Sequence, residues 1–202
     1  GTNTITFNAL ADNTYNDCTV TVTDNLSNSS SLSVNTFKID TTDPIVTEVT
    51  AVTTPGNDTT PRYTFHSTEA GAITYGGSCS SSDNSTSSSG NKSIDFRKPN
   101  GTVLDEASYA TGACTIRVTD GAGNQSNRLD VSSFIIDTTA PTVDSFYPAN
   151  NQNGVSINTD NISVTFSDAN AMDNNSIIAN TSDTSCSRTF QLSSDNFNSC
   201  VQ

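Results

Sequence analysis

The chain has 202 residues, enough for one or two ordinary domains, and its 21 acidic and 8 basic side chains give a formal net charge of −13. This charge disfavours nucleic acid and anionic membrane surfaces as partners, and no run of about 18 apolar residues is present to span a bilayer. We therefore predict a well-hydrated protein that binds no nucleic acid and inserts into no membrane.

The apolar residues alternate with polar ones, which predicts β-strands rather than helices or disorder. The first alternating segment is CTVTVTD at residues 18–24. Between residues 41 and 137 the same pattern predicts seven short strands, near 45–52, 62–67, 72–76, 93–97, 103–106, 113–119 and 129–136. Pro-Asn-Gly at 99–101 predicts a turn, and the Ser-rich segment at 78–89 predicts a flexible loop.

A long internal repeat sets the organisation of the chain. CTVTVTD at 18–24 matches CTIRVTD at 114–120, and FKIDTTDP at 37–44 matches FIIDTTAP at 134–141. GTNTITF at 1–7 likewise matches GNKSIDF at 90–96. A spacing of about 97 residues is typical of tandem whole domains, and seven short strands in that length indicate an all-β, immunoglobulin-like (Ig-like) sandwich.

The repeat predicts three domains joined by short linkers. Residues 1–40 form the C-terminal half of an Ig-like domain, residues 41–137 form a complete one, and residues 138–202 form the N-terminal part of a third. A partner for Cys18 would then lie N-terminal to Gly1. We weigh two readings of the partial domains: a window of a longer chain, or subunits that complete one another head to tail.

The last strand of each copy changes phase at the same place. Leu129 and Val131 share one face of the strand, but the next apolar residue, Phe134, follows three positions later rather than two. The first copy repeats the slip between Val34 and Phe37. We predict a β-bulge that returns the apolar side chains to the core.

The motif VTDGAGNQSN followed by FIIDTTAPTV resembles the signature of bacterial Ig-like repeats in large surface proteins and adhesins. The segment PANNQNGVSINTDNISVTFSDANAMDNNSI resembles an Ig-like module of S-layer and secreted proteins, with the expected Val-Thr-Phe strand at 164–166 and Met-Asp turn at 172–173. The first copy departs from the pattern, because its loop DNLSN at 24–28 lacks glycine and Asp43 replaces alanine.

The five cysteines match no zinc-binding spacing and favour an oxidising, extracellular or cell-surface location. Cys79 and Cys114 fall at the ends of two strands of one domain, and we predict a disulfide between them. Cys186 and Cys200 bracket a compact loop and predict a second disulfide. Cys18 then has no partner within residues 1–202, and a buried free thiol is the alternative for Cys79 and Cys114.

Acidic and amide side chains collect near the predicted domain ends, where related adhesin repeats are often stiffened by calcium. Calcium takes six to eight oxygen ligands from such groups. The candidate residues are Asp40, Asp43, Asp120, Asn124 and Asp137. The alternative is that these side chains cap turns, with no ion. We assign no partner to Glu48 or Glu69.

No catalytic constellation is present, since the single histidine, His66, has no second histidine or cysteine nucleophile beside it in the pattern. We predict no enzyme, and a structural or adhesive segment of a long extracellular surface protein or filament. Its partners would be neighbouring Ig-like domains or copies of itself. The alternatives are a module that binds a glycan or a host-surface ligand through Tyr75, Tyr109 or Tyr147, or an accessory region of a secreted enzyme.

Overall fold

The computed structural model describes residues 2, 4–6, 8–86, 88–149, 151–154 and 163–168. The chain divides into two compact units, Gly1–Asp137 and Thr138–Gln202. The described residues are all-β, as predicted, and they contain no helix. In these ranges, nothing helical has the length and apolar character that a membrane crossing requires.

The strands of the first unit are short. In chain order they are β1 (Asn13–Tyr15), β2 (Thr19–Thr23), β3 (Ser29–Ser33), β4 (Phe37–Ile39), β5 (Val46–Thr50), β6 (Arg62–Ser67), β7 (Gly71–Gly77), β8 (Ser85–Thr86), β9 (Gly90–Asp95), β10 (Ala107–Tyr109), β11 (Cys114–Thr119), β12 (Leu129–Asp130) and β13 (Phe134–Ile136). The second unit contributes β14 (Thr142–Tyr147) and β15 (Ser163–Ser167), which pair antiparallel.

The strands of residues 41–137 surround one core as the pair β10-β13 and two larger sheets. One sheet has the order β5-β6-β9 and the other the order β12-β11-β7-β8. Every second side chain of β6 and β11 is buried, because alternate residues of a strand point to the same face. The buried residues of both sheets form a single hydrophobic cluster that includes Tyr63, Phe65, Phe96, Ile116 and Val118. This strand order is that of an Ig-like sandwich.

The disulfide between Cys79 and Cys114 lies inside this core. Both cysteines are buried, and their Cα atoms are 5.1 Å apart. It closes a loop with a sequence separation of 35, which in the chain-entropy model stabilises the fold by about 3–4 kcal/mol. The disulfide joins the strand β11 to the segment that follows β7.

Two sequence predictions for this region are wrong. The strand predicted at 103–106 is instead β10 at Ala107–Tyr109, because the chain first closes a turn in which the Lys98 amide donates to the Thr102 carbonyl (2.8 Å). Leu104 is buried but extends no ladder. The Ser-rich segment is no simple loop either, since it contains β8, where the buried Thr86 accepts a hydrogen bond from the Gly71 amide (2.9 Å).

The predicted bulge of the last strand proves to be a change of sheet. β12 pairs with β11, whereas β13 pairs with β10 and touches the 54–56 segment in parallel at Gly56. Between them, the Val131 amide still donates to the Cys114 carbonyl of β11 (3.1 Å), whereas Ser132 hydrogen-bonds to Glu48 of β5. In the first copy β3 pairs with β2 and β4 with β1, so the change of partner occurs at the same position.

Side chains repeat the same contacts in the two copies. Tyr15 stacks on Phe37 with ring centroids 5.3 Å apart, and its hydroxyl donates to the Ala11 carbonyl (3.0 Å). Tyr109 stacks on Phe134 at 4.7 Å, and its hydroxyl donates to the carbonyl four residues earlier, that of Asp105 (3.1 Å). This recurrence places Asn13–Ile39 in structural register with Ala107–Ile136.

Candidate functional site at the Asp-Thr-Thr joint

The loop after β11 is organised by one carboxylate. Oδ1 of Asp120 accepts hydrogen bonds from the amides of Ala122, Gly123 and Asn124 at 2.7–2.9 Å. Desolvation raises the pKa of Asp120, but the hydrogen bonds from Asn124, Gly123 and Ala122 outweigh it and hold the pKa below its ordinary value. Gly123 has φ +99°, in the region that glycine adopts without strain.

The side chain of Asn124 ties this loop to the preceding joint. Its amide nitrogen donates to Oδ2 of Asp120 at 2.8 Å and to the main-chain carbonyl of Asp40 at 3.1 Å. Asp40 opens the linker Asp-Thr-Thr-Asp-Pro at residues 40–44. The loop after β11 therefore holds the start of the 40–44 segment through one amide group.

The same linker is held from the upstream side by Asp12, the residue before β1. Its carboxylate accepts hydrogen bonds from the Thr41 amide (3.1 Å), the Thr41 hydroxyl (2.8 Å) and the Thr42 hydroxyl (3.0 Å). The backbone hydrogen bond from Thr41, followed by the two hydroxyl bonds, lowers the pKa of Asp12. The joint is thus bonded to elements on both of its sides.

Three carboxylates converge beside the joint. One oxygen each of Asp40, Glu69 and Asp120 lies within 4.8 Å of the others, and all three residues are half-buried. They line a pocket of about 500 Å³ together with Lys38. The Lys38 ammonium lies 2.5 Å from Oδ2 of Asp40, and this bond, with the charges of Glu69 and Asp120, raises the pKa of Lys38.

The structure brings together some of the predicted calcium ligands. Asp40, Asp120 and Asn124 meet at the joint, whereas Asp43 is exposed and lies outside the carboxylate group. Asp137 is also outside it; its amide donates to the Gly56 carbonyl (2.9 Å). Asn124 presents its amide nitrogen to both aspartates, so it acts here as a donor, as the turn interpretation expects.

Glu69 was missed by the sequence analysis. It lies in the connection between β6 and β7, and β7 pairs with β11 so that Ala72 is opposite Thr119, next to Asp120. A prediction of that strand pairing would have placed Glu69 beside the acidic loop.

The carboxylates of Asp40, Glu69 and Asp120 are ligands of the kind that calcium takes. A cation would compete with Lys38 for Asp40 and with the loop amides for Asp120.

The predicted aromatic platform for a glycan is wrong for Tyr109. Its side chain is 8% exposed and packs on Phe134 in the core. Tyr75 is half-buried, its hydroxyl donates to the Asp83 carbonyl, and desolvation raises its pKa to about 12. Tyr147, in the other unit, is exposed. Neither Tyr75 nor Tyr109, the two of these rings in the first unit, is exposed.

Of the other predicted sites, Cys79 and Cys114 are bonded and Cys18 is a half-buried free thiol. The predicted pair Cys186 and Cys200, and the Met-Asp turn at 172–173, lie outside the described residues.

The sandwich and its bonded joint define an Ig-like module. Residues 137–199 match the model of a family described as "Bacterial Ig-like domain". None of the curated proteins matches the chain. The match confirms the resemblance to bacterial Ig-like domains over this part of the sequence, and it indicates a bacterial surface or structural Ig-like module.

Proposed function

We propose that this chain is a structural segment of an extracellular bacterial surface protein or filament, in which Ig-like domains follow one another as a shaft. The observation that carries the proposal is the joint at residues 40–44. Asp12 holds its two threonines from the upstream side, and Asn124 holds its first carbonyl from the downstream side. A linker built for free movement would lack such bonds.

The composition of the joint supports the same role. It is five residues long and ends in the buried Pro44, whose ring fixes φ and restricts the residue before it. Gly/Ser-rich linkers, in contrast, behave as flexible coils. The Asp-Thr-Thr-x-Pro phrase recurs at 137–141.

The location and the absence of catalysis are also part of the proposal. A buried disulfide suits an oxidising compartment, and Ig-like domains of the matched family occur in bacterial surface proteins and are typically non-catalytic. The partners are then the neighbouring Ig-like domains. Calcium binding at Asp40, Glu69 and Asp120 stays a prediction, and the burial of Tyr109 speaks against the alternative of a sugar-binding module.

Antibody labelling of intact cells tests the location. An antibody raised against residues 41–137 should label unpermeabilised cells of the source organism, and external protease should remove the label. Labelling that requires permeabilisation would contradict a surface role.

Small-angle scattering on the intact chain tests the stiff joint. The double variant Asp12→Ala/Asn124→Ala removes the side-chain bonds on both sides of the linker, and we expect a wider distribution of dimensions and faster hydrogen exchange at Thr41 and Thr42. Asp95→Ala, at an exposed position of β9, is the matched control. Identical exchange and scattering in all three proteins would remove the shaft argument.

A further inference from the structure

The turn that follows β9 contains an asparagine directly before a glycine, Asn100–Gly101, and both residues are exposed. The Lys98 amide donates to the Thr102 carbonyl and the Gly101 amide donates to the Lys98 carbonyl, each at 2.8 Å. Gly101 has φ +83°, and a Cβ built on it would meet no atom within 4 Å. The main chain after Asn100 is therefore open to solvent and carries no side chain at the next position.

The side chain of Asn100 is bent back over this main chain. Its Oδ1 accepts hydrogen bonds from the Thr102 amide (3.1 Å) and from the Thr102 hydroxyl (2.7 Å). Because Oδ1 lies so close to the nitrogen of the second residue after it, the side-chain carbonyl is beside the peptide unit that contains the Gly101 nitrogen. The two donors also draw electron density toward Oδ1, which makes Cγ of Asn100 more open to attack.

Asn124 shows the contrasting arrangement. Its side-chain nitrogen donates to Oδ2 of Asp120 (2.8 Å) and to the Asp40 carbonyl (3.1 Å), and the residue after it is Gln125. An amide held through its nitrogen must break both bonds before it can be lost, and a side chain on the next residue hinders approach of that residue's nitrogen. Among the asparagines of residues 1–137, Asn100 alone precedes a glycine.

We propose that Asn100 is a site of spontaneous deamidation, at which the Gly101 nitrogen closes a succinimide ring on the Asn100 side chain and water opens the ring to aspartate or isoaspartate. The proposal goes beyond the proposed function and does not rest on it, because it depends only on the chemistry of this turn. The product places a new negative charge in the same turn as Lys98, whose ammonium is paired with Asp105 at 2.6 Å. Isoaspartate also inserts Cβ into the main chain and so disturbs the turn hydrogen bonds.

The reaction needs only water and a solvent base. The Gly101 nitrogen gives its proton to the base and attacks Cγ of Asn100, so a C–N bond forms and negative charge develops on Oδ1, where the two Thr102 donors stabilise it. The intermediate then expels the side-chain nitrogen, which takes a proton and leaves as ammonia. Water adds to either ring carbonyl and breaks its C–N bond. Water is consumed, ammonia is released, and nothing is oxidised or reduced.

One contact opposes the reaction, because the Gly101 nitrogen donates to the Lys98 carbonyl and must leave it before ring closure. Hydrogen bonds of exposed turns open at a small cost in free energy, far below that of global unfolding. We therefore expect Asn100 to react in the folded protein, at a rate within about tenfold of its rate in the unfolded chain.

Peptide mapping by mass spectrometry tests the site. The intact chain is incubated at mildly alkaline pH, with the urea-unfolded chain as the reference for an unrestrained reaction. In the native protein, the peptide that contains Asn100 should gain about 1 Da, as an amide becomes an acid, while the peptide that contains Asn124 keeps its mass. A native rate at Asn100 more than about tenfold below the unfolded rate would overturn the proposal. So would a gain of mass at Asn124 before Asn100.

Two variants at Thr102 test whether the folded turn assists the reaction. Thr102→Val removes the hydroxyl that donates to Oδ1, and Thr102→Ser keeps it. In the native protein we expect Thr102→Val to deamidate about two- to tenfold more slowly than the parent, the effect of one exposed hydrogen bond, and Thr102→Ser to match the parent. In urea all three should react alike. Equal native rates would contradict the role assigned to the Thr102 hydroxyl.

Discussion

Asp24 and Asp120 fold the loops that follow them in the same way. Oδ1 of Asp24 accepts the amides of Leu26 (2.9 Å) and Asn28 (2.8 Å), and its Oδ2 accepts the Asn28 side chain (2.9 Å). The first loop has no glycine, and Ser27 adopts φ +68° where the second loop has Gly123. The aspartate therefore determines this turn, and glycine only makes it easier to form.

Gly123→Ser is expected to destabilise the sandwich of residues 41–137 by about 1 kcal/mol, because the φ of Gly123, +99°, lies in a region that favours glycine, while a new Cβ would meet no other atom. Gly121→Ser is the matched control: that position has equally open space and no positive φ. Urea denaturation of the intact chain measures both. Equal midpoints would show that the loop relaxes without cost, as it does around Ser27.

At the scale of elements, Glu48 secures the place where the last strand changes sheets. Its carboxylate accepts hydrogen bonds from the Ser132 amide (3.1 Å), the Ser132 hydroxyl (2.6 Å) and the Tyr63 hydroxyl (3.0 Å). Desolvation raises the pKa of Glu48, but these three bonds together hold it below its ordinary value. Burial raises the pKa of Tyr63, so its hydroxyl remains a donor.

Glu48→Gln is expected to lower the free energy of unfolding by about 1–3 kcal/mol at neutral pH, because one charged acceptor becomes a neutral amide with a misplaced donor. The folded pKa of Glu48 is below the ordinary value of 4.5. Its contribution is therefore fully present above pH 4.5 and is lost as the pH falls through the lower folded pKa.

Urea midpoints measured from pH 7 down to pH 3 check both statements. The variant should lose part of the acid dependence of the parent protein, whereas Asp95→Asn, at an exposed position of β9, should keep it. If Glu48→Gln keeps both the stability and the acid dependence of the parent protein, the hydrogen bonds from Ser132 to Glu48 do not stabilise the fold.

At the scale of the whole molecule, the carboxylates of Asp40, Glu69 and Asp120 concentrate negative charge at the joint, and Lys38 offsets part of it. If calcium binds there, millimolar calcium should raise the thermal midpoint by about 2–5 °C and a chelator should reverse the rise. Glu69→Gln should abolish the response, and Asp95→Asn should leave it intact. A thermal midpoint that is independent of both calcium and chelator would contradict calcium binding at these three carboxylates. Their roles would then be limited to the turn and the ion pair.

The sequence predicted the strands of the sandwich best where apolar and polar residues alternate, as in Arg62–Ser67 and Cys114–Thr119. It failed at β8 and β10, because short polar segments gain their ladder hydrogen bonds from tertiary contacts that leave no periodic signal. The repeat located the 40–44 segment, and the positions of Cys79 and Cys114 at the ends of two predicted strands located the disulfide. The partners of Glu48 and Glu69 were missed, since they depend on which strands become neighbours across about 20–80 residues of chain.

The parallel contact between Gly56 and β13 is one of the contacts that would carry mechanical load through residues 41–137. The Gly56 amide donates to the Ile135 carbonyl (3.1 Å), and the Asp137 amide donates to the Gly56 carbonyl (2.9 Å). Because the two segments run in the same direction, tension applied at the entrance and exit of the domain shears these bonds together instead of unzipping them one at a time. If these hydrogen bonds break, the disulfide between Cys79 and Cys114 would still keep the chain between those two residues from extending. The sandwich would then lengthen by only part of its contour length.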